Sequence, residues 1–479
     1  MSNLFKPTFE SLREFECPQW FQDAKFGIWS HCGPQSVPMF GDWYARNMYI
    51  QGSEQYNYHV RHYGHPSQFG YKDICKLWKA ENFNPDELMD LYWKAGARYF
   101  VGQATHHDNF LNYPSQINKF NAANVGPMKD ICGMWKKAAD KLGMPFGLTE
   151  HLAASFSWWA CNKGSDSYGP YKGVPYDGND PEYAGFYHKN EEHIHNWQWY
   201  TSNQEYHQYW LSAMHELIDL FQPDLLYSDG DLPFGQGTAD TADTKYGVGL
   251  NAVAHLYNTS IQKYGENRAV YCQKNRNAAV YNVGILDIEK SQLPDIMQNP
   301  WQTDTCIGNW FYHAGQSFKR PKQIIEMLID IISKNGVMLL NILQRPDGSI
   351  DDETRYILDE LAAWNRICGE GIYGTRPWRT FGEGDSRVVI DGFKEDAVSW
   401  TPSDYRFVTK NNRVYAFQMT PPLNRVAVVK SFAETDHIQS VKLLGHGEVP
   451  FTQSFGALTI KLPQALPTEY AVCYEIEMK

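Results

Sequence analysis

Polar side chains of catalytic type follow most of the short apolar runs between residues 26 and 310. They are His31, His106, His107, Glu150, His151, Asp229, Lys274, Arg276, Glu289 and Asp304, with tryptophans nearby at 43, 301 and 310. Two carboxylates can hydrolyse a glycosidic bond, one as nucleophile or base and the other as proton donor. Histidines can hydrogen-bond sugar hydroxyls, and tryptophan rings can pack on the apolar face of a sugar. These residue types favour glycoside hydrolysis, with Asp229 and Glu289 as the central carboxylates.

Two other chemistries are less well supported. Cys32 stands beside His31, but a thiol there is more typical of a buried structural cysteine than of a nucleophile. The chain has no His-Glu-x-x-His motif, and its only His-x-His, His193-x-His195, does not follow a predicted strand. We therefore expect no metal in the site and no other cofactor.

The elements that position these residues alternate between short apolar runs and amphipathic stretches. Eight runs are predicted as strands: Phe26–Ser30, Tyr99–Thr105, Phe146–Glu150, Leu225–Asp229, Val270–Lys274, Ile285–Glu289, Thr303–Ile307 and Val337–Leu343. Helices are expected between them, for example after Asn84-Pro85, where a cap and a first-turn proline precede Gly96. Eight mostly apolar strands with intervening helices predict a (β/α)₈ barrel, whose active site lies at the carboxyl ends of the strands. An open doubly wound sheet is the alternative, but the chain lacks Gly-x-Gly-x-x-Gly.

The pattern changes near Thr375, where helical periodicity stops. Six short strands are expected beyond it: Arg387–Ile390, Arg406–Thr409, Val414–Met419, Val426–Val429, Leu458–Leu462 and Tyr470–Ile476. Short strands separated by turns are typical of a β-sandwich. The predicted organisation is therefore a catalytic barrel over residues 1–365 and a C-terminal β-sandwich over residues 376–479.

Composition restricts the partners of the chain. It has 43 Lys and Arg against 55 Asp and Glu, so its net charge of −12 argues against nucleic acids and anionic membranes. Aromatic residues make up 15% of the 479 positions, which fits a sugar-binding cleft or a large aromatic core equally well. Nine scattered cysteines without Cys-x-x-Cys predict free thiols. No membrane span and no signal peptide are expected, and the compartment stays open, a periplasmic or secreted mature chain included.

Five ordered motifs resemble one known family. They are Trp20-Phe21-Gln22-Asp23-Ala24-Lys25-Phe26-Gly27-Ile28-Trp29-Ser30-His31, Thr105-His106-His107-Asp108-Asn109-Phe110, Pro223-Asp224-Leu225-Leu226-Tyr227-Ser228-Asp229-Gly230, Ser333-Lys334-Asn335-Gly336 through Asn341-Ile342, and Gly369-Glu370-Gly371-Ile372-Tyr373-Gly374-Thr375-Arg376-Pro377-Trp378. Together they are similar to the α-L-fucosidases of glycoside hydrolase family 29, over nearly the whole chain.

The resemblance implies a retaining, exo-acting enzyme that removes terminal α-L-fucosyl residues from oligosaccharides or polysaccharides. It makes Asp229 the nucleophile and Glu289 the acid/base. Asp287 and Asp304 are alternatives for the acid/base only. The further residues that it implies at the substrate are His31, His106 and His107 on fucose hydroxyls, Trp43 on the ring, Arg276 lining the pocket, and Tyr227 where a tryptophan is frequent. We add Trp310 as a ring facing the C6 methyl group. The chain also departs from the family at Asp42, where glutamate is common, and at Cys32.

Two alternative functions stay open at this point. A related exo-glycosidase would act on α-L-galactosides, which differ from fucosides by one hydroxyl at C6. A non-catalytic lectin could use the same fold, although the presence of both Asp229 and Glu289 argues against it. The sequence does not indicate the natural glycan, its linkage, tolerance of sulfated fucose, or the oligomeric state.

Overall fold

A closed barrel of eight parallel strands forms the first part of the molecule. The computed structural model describes residues 4–189, 198–235, 243–388, 393, 395 and 397–479. The barrel strands are β1 (Phe26–Ser30), β2 (Tyr99–Gln103), β3 (Phe146–Glu150), β4 (Leu225–Ser228), β5 (Val270–Gln273), β6 (Ile285–Asp287), β7 (Trp301–Cys306) and β8 (Gly336–Asn341). They pair in chain order, and β8 returns to β1. The predicted barrel is confirmed, although several strands end one or two residues before the predicted limit.

Alternate residues of the strands pack into two separate cores. Inside the barrel lie side chains such as Tyr99, Val101, Leu225, Tyr227 and Leu339. Their chain neighbours, which point outward, pack against the surrounding helices. Because both faces of each strand are buried, the strands read as continuous apolar runs in the sequence. The alternation also determines which polar side chains beyond a strand continue on the inner side.

Helices surround the barrel. They are α1 (Phe9–Leu12), α2 (Gln19–Ala24), α3 (Tyr44–Asn47), α4 (Glu54–His62), α5 (Tyr71–Leu77), α6 (Pro85–Ala95), α7 (Ile131–Leu142), α8 (Ser155–Trp158), α9 (Ala184–Tyr187), α10 (Gln204–Phe221), α11 (Asp243–Tyr264), α12 (Ala278–Tyr281), α13 (Pro321–Ser333) and α14 (Asp352–Cys368). The predicted α6 is confirmed: the Asn84 side chain accepts from the backbone N–H of Glu87, and Gly96 ends the helix at φ 112°. No helix in the described ranges is long and apolar enough to cross a membrane. All nine cysteines are free thiols.

Two antiparallel sheets make up the C-terminal region. Their strands are β9 (Arg376–Glu383), β10 (Tyr405–Lys410), β11 (Arg413–Gln418), β12 (Val426–Val429), β13 (Ile438–Leu443), β14 (Gly447–Glu448), β15 (Phe451–Ser454), β16 (Ala457–Lys461) and β17 (Val472–Met478). The six-stranded sheet has the order β14-β13-β17-β11-β10-β9, and the other has the order β12-β16-β15. Side chains of both sheets share one apolar core, as the predicted sandwich requires.

The strand prediction was wrong at several places in this region. The sequence analysis missed β9, β13, β14 and β15. It also predicted a strand over Arg387–Ile390, of which the structure describes Arg387 and Val388, and neither of these two residues lies in a strand. β9 contains Pro377 and lies at the edge of its sheet, where a missing backbone N–H is tolerated. β13 has a register irregularity between Ile438 and Ser440, which breaks the alternation that a sequence pattern relies on.

A buried ion cluster joins the C-terminal sheets to the barrel. The Arg406 guanidinium of β10 donates from Nε to Asp330 Oδ1 of α13 at 2.6 Å. Lys334 Nζ lies 2.6 Å from the other oxygen of the same carboxylate. The three side chains are almost fully buried, so one carboxylate balances two cations that water does not reach.

Replacing Asp330 by asparagine should destabilise the protein strongly. Asp330→Asn leaves two buried cations without a counter-charge, and loss of one partner of a buried pair costs about 3–5 kcal/mol. Urea denaturation should show a loss of this size in the free energy of unfolding. The matched control, Asp90→Asn, removes the partner of Lys94 in an exposed pair and should cost about 0.5 kcal/mol or less. Equal losses in the two variants would contradict the role of the buried cluster.

Candidate active site

A cavity of about 470 Å³ opens at the carboxyl ends of the barrel strands. Its lining consists of Trp29, His31, Asp42, Trp43, His106, His107, His151, Trp199, Asp229, Gly230, Lys274, Glu289, Asp304, Trp310 and Phe393. The sequence analysis gave nine residues a catalytic or substrate-binding role. Seven of them line the cavity: Asp229, Glu289, His31, Trp43, His106, His107 and Trp310. The volume is in the range of small-molecule sites.

Asp229 follows β4 directly and lies among cationic and hydrogen-bonding groups. Its Oδ1 accepts from Lys274 Nζ at 2.7 Å. Its Oδ2 lies 3.2 Å from His107 Nε2 and 3.4 Å from His151 Nδ1. Burial alone would raise the pKa of Asp229, but the Lys274 ammonium and the two histidines outweigh it and hold that pKa well below its usual range. Asp229 is therefore ionised at neutral pH.

The chain turns sharply after Asp229. Gly230 has a φ of +110°, and a Cβ added there would stand 2.7 Å from the Tyr200 hydroxyl and 2.8 Å from Trp199 Nε1. Only glycine satisfies both the backbone conformation and the space. This position lets Trp199 close over the end of β4 beside the carboxylate.

Lys274 bridges the two central carboxylates. Besides Asp229, its Nζ donates to Glu289 Oε2 at 2.5 Å and lies 3.7 Å from Asp304 Oδ2. Burial would lower the pKa of Lys274, but Asp229, Asp304 and Glu289 raise it well above its usual value. The lysine is therefore a permanent cation between the two carboxylates.

Arg276, the cation inferred from the family resemblance, has a different position. Its side chain is exposed and does not line the cavity. Lys274 continues the inward alternation of β5, in which Cys272 lies inside the barrel. Beyond it the chain leaves the strand direction, because Asn275 N–H donates to Gln273 Oε1 and Asn277 N–H donates to Asn275 Oδ1.

Glu289 stands two residues beyond β6, on the same side as Ile285 and Asp287. Burial raises the pKa of Glu289 to about 7, and the charges of Asp304 and Asp229 add to that effect against the pull of Lys274. Glu289 is therefore partly protonated near neutral pH while Asp229 is ionised. Such a difference between the pKa values of two neighbouring carboxyl groups is typical of a general acid beside a nucleophile.

The other carboxyl groups near the strand ends are less suited to exchange protons with a ligand. Asp287 lies outside the cavity lining, its Oδ1 accepts from Gln302 Nε2 at 2.8 Å, and burial together with Asp304 raises its pKa. Asp304 lines the cavity and accepts from the Tyr227 hydroxyl at 2.9 Å. Glu150 is buried outside the lining and accepts from Trp210 Nε1 at 3.0 Å.

Tyr227 is placed beneath the cavity rather than in its wall. The side chain is fully buried inside the barrel, and its hydroxyl also lies 3.4 Å from Asp229 Oδ1. It therefore supports the two aspartates from below and is out of reach of a ligand.

The histidines are held by specific partners. His31 Nδ1 lies 3.0 Å from Asn341 Oδ1, an acceptor, so Nδ1 carries the proton. His106 Nδ1 lies 2.8 Å from the Gln35 amide nitrogen, a donor, which leaves the proton on Nε2. Burial and the nearby His151 hold the pKa values of His31 and His106 well below their usual value. Both rings are therefore neutral, and each has one nitrogen left for a ligand hydroxyl.

Asp42 adds an acceptor to the same wall. Its Oδ1 is buried and has no hydrogen-bond partner among the described residues, and it lies 4.0 Å from His106 Nε2. Burial raises the pKa of Asp42 to about 6. A buried acceptor without a partner at the surface of a cavity is suited to a ligand hydroxyl.

Two groups of ligand atoms could in principle hold a metal ion: His31, His106 and His151, and His107, His151 and Asp229. In the first, His106 accepts from Gln35 and so offers an N–H rather than a lone pair at its other nitrogen. In the second, Asp229 is already paired with Lys274. The described residues thus fit hydroxyl groups better than a metal ion, and His193-x-His195 lies outside them.

Several functional residues gave little signal in the sequence. Trp29 lies inside an apolar strand, Trp199 lies in a loop, and Phe393 follows β9 in the C-terminal region. Trp301 was expected in a loop on the active-site face, but it begins β7 at the opposite end of the barrel and is fully buried. Aromatic residues follow no spacing rule that distinguishes a binding wall from a core.

Comparisons with known proteins identify the family of the chain. The family model described as Alpha-L-fucosidase matches residues 1–370. The tissue alpha-L-fucosidase of Rattus norvegicus is 27% identical over 477 residues, which cover 98% of this chain and 90% of that protein. The enzyme of the same name from Homo sapiens is 27% identical over 480 residues, with the same coverage.

Solved structures agree as well. The crystal structure of Thermotoga maritima alpha-fucosidase in complex with fucose has a TM-score of 0.74 and 25% sequence identity, and the match covers 98% of this chain and 100% of that chain. The family model spans most of the chain, and the relatives match nearly all of it. The chain therefore belongs to the α-L-fucosidase family of glycoside hydrolases.

Proposed function

We propose that the protein is a retaining, exo-acting α-L-fucosidase with Asp229 as nucleophile and Glu289 as acid/base. The observation that carries this proposal is the lysine shared by the two carboxylates. Asp229 Oδ1 and Glu289 Oε2 lie 2.7 and 2.5 Å from the same Lys274 nitrogen, so these oxygens are at most about 5.2 Å apart. A short bridge of this kind favours a retaining glycosidase, whose carboxyl groups lie about 5–5.5 Å apart, over an inverting one, which needs about 6.5–9.5 Å for a water molecule.

In the first step, the ionised Asp229 attacks the anomeric carbon of a terminal α-L-fucosyl residue. The bond from that carbon to the glycosidic oxygen breaks, and the departing oxygen takes the proton of Glu289. The raised pKa of Glu289, about 7, keeps that proton available near neutral pH. The product of this step is a fucosyl ester of Asp229.

In the second step, Glu289 removes a proton from a water molecule that attacks the same carbon, and the bond from that carbon to the Asp229 oxygen breaks, which releases fucose and the free carboxylate. Formation of the ester has removed the negative charge of Asp229, one of the charges that raise the Glu289 pKa. Lys274 then acts on Glu289 with less opposition, so the pKa of Glu289 falls and the residue stays in the ionised form that can accept a proton from water. One residue thereby serves as acid and then as base.

Recognition of the sugar follows from the hydrogen-bonding groups and aromatic rings in the wall of the cavity. His31, His106 and Asp42 provide donors and acceptors for hydroxyl groups, which keeps the sugar fixed while charge develops at its anomeric carbon. Trp29 and Trp310, whose ring centres are 5.4 Å apart, provide an apolar surface for the C6 methyl group. A fucosylated glycan is the substrate class that combines these features.

Fucose release tests the proposed function. The wild-type protein should hydrolyse an aryl α-L-fucoside, and NMR of the first product should show the α anomer, because two displacements retain configuration. An aryl α-L-galactoside should react about 10²-fold more slowly, since an apolar pocket rejects an added hydroxyl only modestly. Asp229→Asn should lose about 10⁴-fold or more in rate. A β anomer as first product, or near-normal turnover by Asp229→Asn, would contradict the mechanism.

Replacing Glu289 by alanine should give a loss that depends on the leaving group. A general acid contributes about 10²–10⁴-fold, so cleavage of fucosyl oligosaccharides should fall by that factor, and cleavage of fucosides of acidic phenols much less. Azide needs no deprotonation, so it should restore turnover in Glu289→Ala and yield a fucosyl azide. Asp287→Ala and Asp304→Ala are the matched controls. Azide rescue in either of them, and not in Glu289→Ala, would reassign the acid/base.

Lys274 should set both limbs of the pH profile. It lowers the pKa of Asp229, which must be ionised, and that of Glu289, which must be protonated. In Lys274→Met both pKa values rise, so the acid limb and the alkaline limb of kcat/KM should both move to higher pH, by about one unit or more. Lys274→Arg keeps the charge and is the control. Limbs that stay in place or move to lower pH in Lys274→Met would exclude this role.

A further inference from the structure

Phe393 is the one residue of the described cavity lining that comes from beyond the barrel. The other lining residues lie between Trp29 and Trp310, whereas Phe393 follows β9 of the C-terminal sheets. Its side chain is 69% exposed, which is unusual for a large aromatic ring at the edge of a cavity. Such a ring has most of its apolar area left to bury against a ligand.

Glu395, two residues further on, is held by the barrel. Its carboxylate accepts from the Thr305 hydroxyl at 2.9 Å and lies 2.9 Å from Lys319 Nζ. Its backbone carbonyl accepts from Gln323 Nε2 at 2.9 Å. Side chain and backbone of Glu395 are therefore both fixed, and Phe393 stands close to a tethered point of the chain.

The tether lies on one side of the barrel mouth. Thr305 belongs to β7, directly after Asp304, and β7 pairs with β6, from which Glu289 projects. The two elements stay together beyond β6, since Lys290 N–H donates to the Asp304 carbonyl at 2.9 Å. Glu395 and Glu289 thus occupy the same sector of the mouth.

This sector is the side on which the leaving group departs. The acid/base must reach the glycosidic oxygen, so the sugar attached to that oxygen extends over the Glu289 side of the cavity. In the proposed function the fucose contacts His31 and His106, which follow β1 and β2 on another side of the mouth. An exposed ring near Glu289 therefore meets the second sugar of the substrate.

We propose that Phe393 is a binding platform for the leaving-group sugar, and so determines which fucosylated glycans are cleaved efficiently. This inference rests on the proposed fucosidase function. The ring packs against the C–H face of a pyranose, and Glu395 keeps it at the rim through Thr305, Lys319 and Gln323. The C-terminal region then completes the substrate site of the barrel.

A comparison of two substrates with matched leaving-group chemistry tests this role. Methyl α-L-fucoside and an α-L-fucosyl-galactose disaccharide both release an alkyl alcohol, but only the disaccharide has a second sugar. In Phe393→Ala, the ratio of kcat/KM for the disaccharide to kcat/KM for the methyl fucoside should fall about tenfold, the effect of losing part of a buried aromatic side chain. Phe393→Trp should restore the ratio.

Two further variants separate the platform from a general effect on the fold. Phe455→Ala removes a fully exposed phenylalanine that lies outside the cavity lining and should keep the wild-type ratio. Glu395→Gln weakens the tether to Lys319 and should lower the ratio in the same direction as Phe393→Ala. An unchanged ratio in Phe393→Ala, or equal losses for both substrates, would overturn the proposal.

Failure of the proposed function would be visible separately. A wild-type protein that releases fucose from neither substrate contradicts the fucosidase proposal itself. In that case the affinities of the wild type and Phe393→Ala for the disaccharide and for methyl fucoside are measured by calorimetry, and the ratio of these affinities is compared instead of the ratio of kcat/KM values. A ratio of affinities that does not fall in Phe393→Ala would overturn the platform in that case too.

Discussion

The shared ammonium group of Lys274 is the interaction on which the rest of the site depends. Asp229, Glu289 and Asp304 carry carboxyl groups within 3.7 Å of its nitrogen, and all four side chains are mostly buried. Without a cation, close burial of these groups would force protons onto them and remove the ionised carboxylate that we propose as the nucleophile. With it, one carboxyl group stays ionised while Glu289 keeps a pKa of about 7. The two hydrogen bonds to Lys274 also keep one oxygen of Asp229 close to one oxygen of Glu289, as the proposed double displacement requires.

The barrel makes this balance of charges possible because parallel strands end at one face. Asp229, Lys274 and Glu289 follow three successive strands, β4, β5 and β6, so they meet although 60 positions separate the first from the last in the sequence. Inward alternation continues past the strand ends and directs these side chains to the barrel axis. Tyr227 and Gln302 fill the level below, where Tyr227 binds Asp304 and Gln302 binds Asp287.

The C-terminal sheets contribute more than a separate module would. Arg406 of β10 and Lys334 both form ion pairs with Asp330 of α13, and these contacts connect β10 to α13. Glu395 is bound to residues of β7 and the segment after it. These polar contacts bring an aromatic residue of the C-terminal region, Phe393, to the cavity rim. The cavity is thus assembled from both parts of the chain.

The barrel, the C-terminal β-region and most of the polar cavity residues could be predicted from the sequence alone. These predictions were possible because buried parallel strands are continuous apolar runs in the sequence, and because the polar residues that follow them must lie on one face of the barrel. Prediction failed at irregular edge strands such as β9, where no alternation persists. The structure was needed to show that Lys274 rather than the exposed Arg276 lies between the carboxylates, and that Trp199 and Phe393 complete the wall. Those features depend on distances through space and on burial, and neither follows from spacing along the chain.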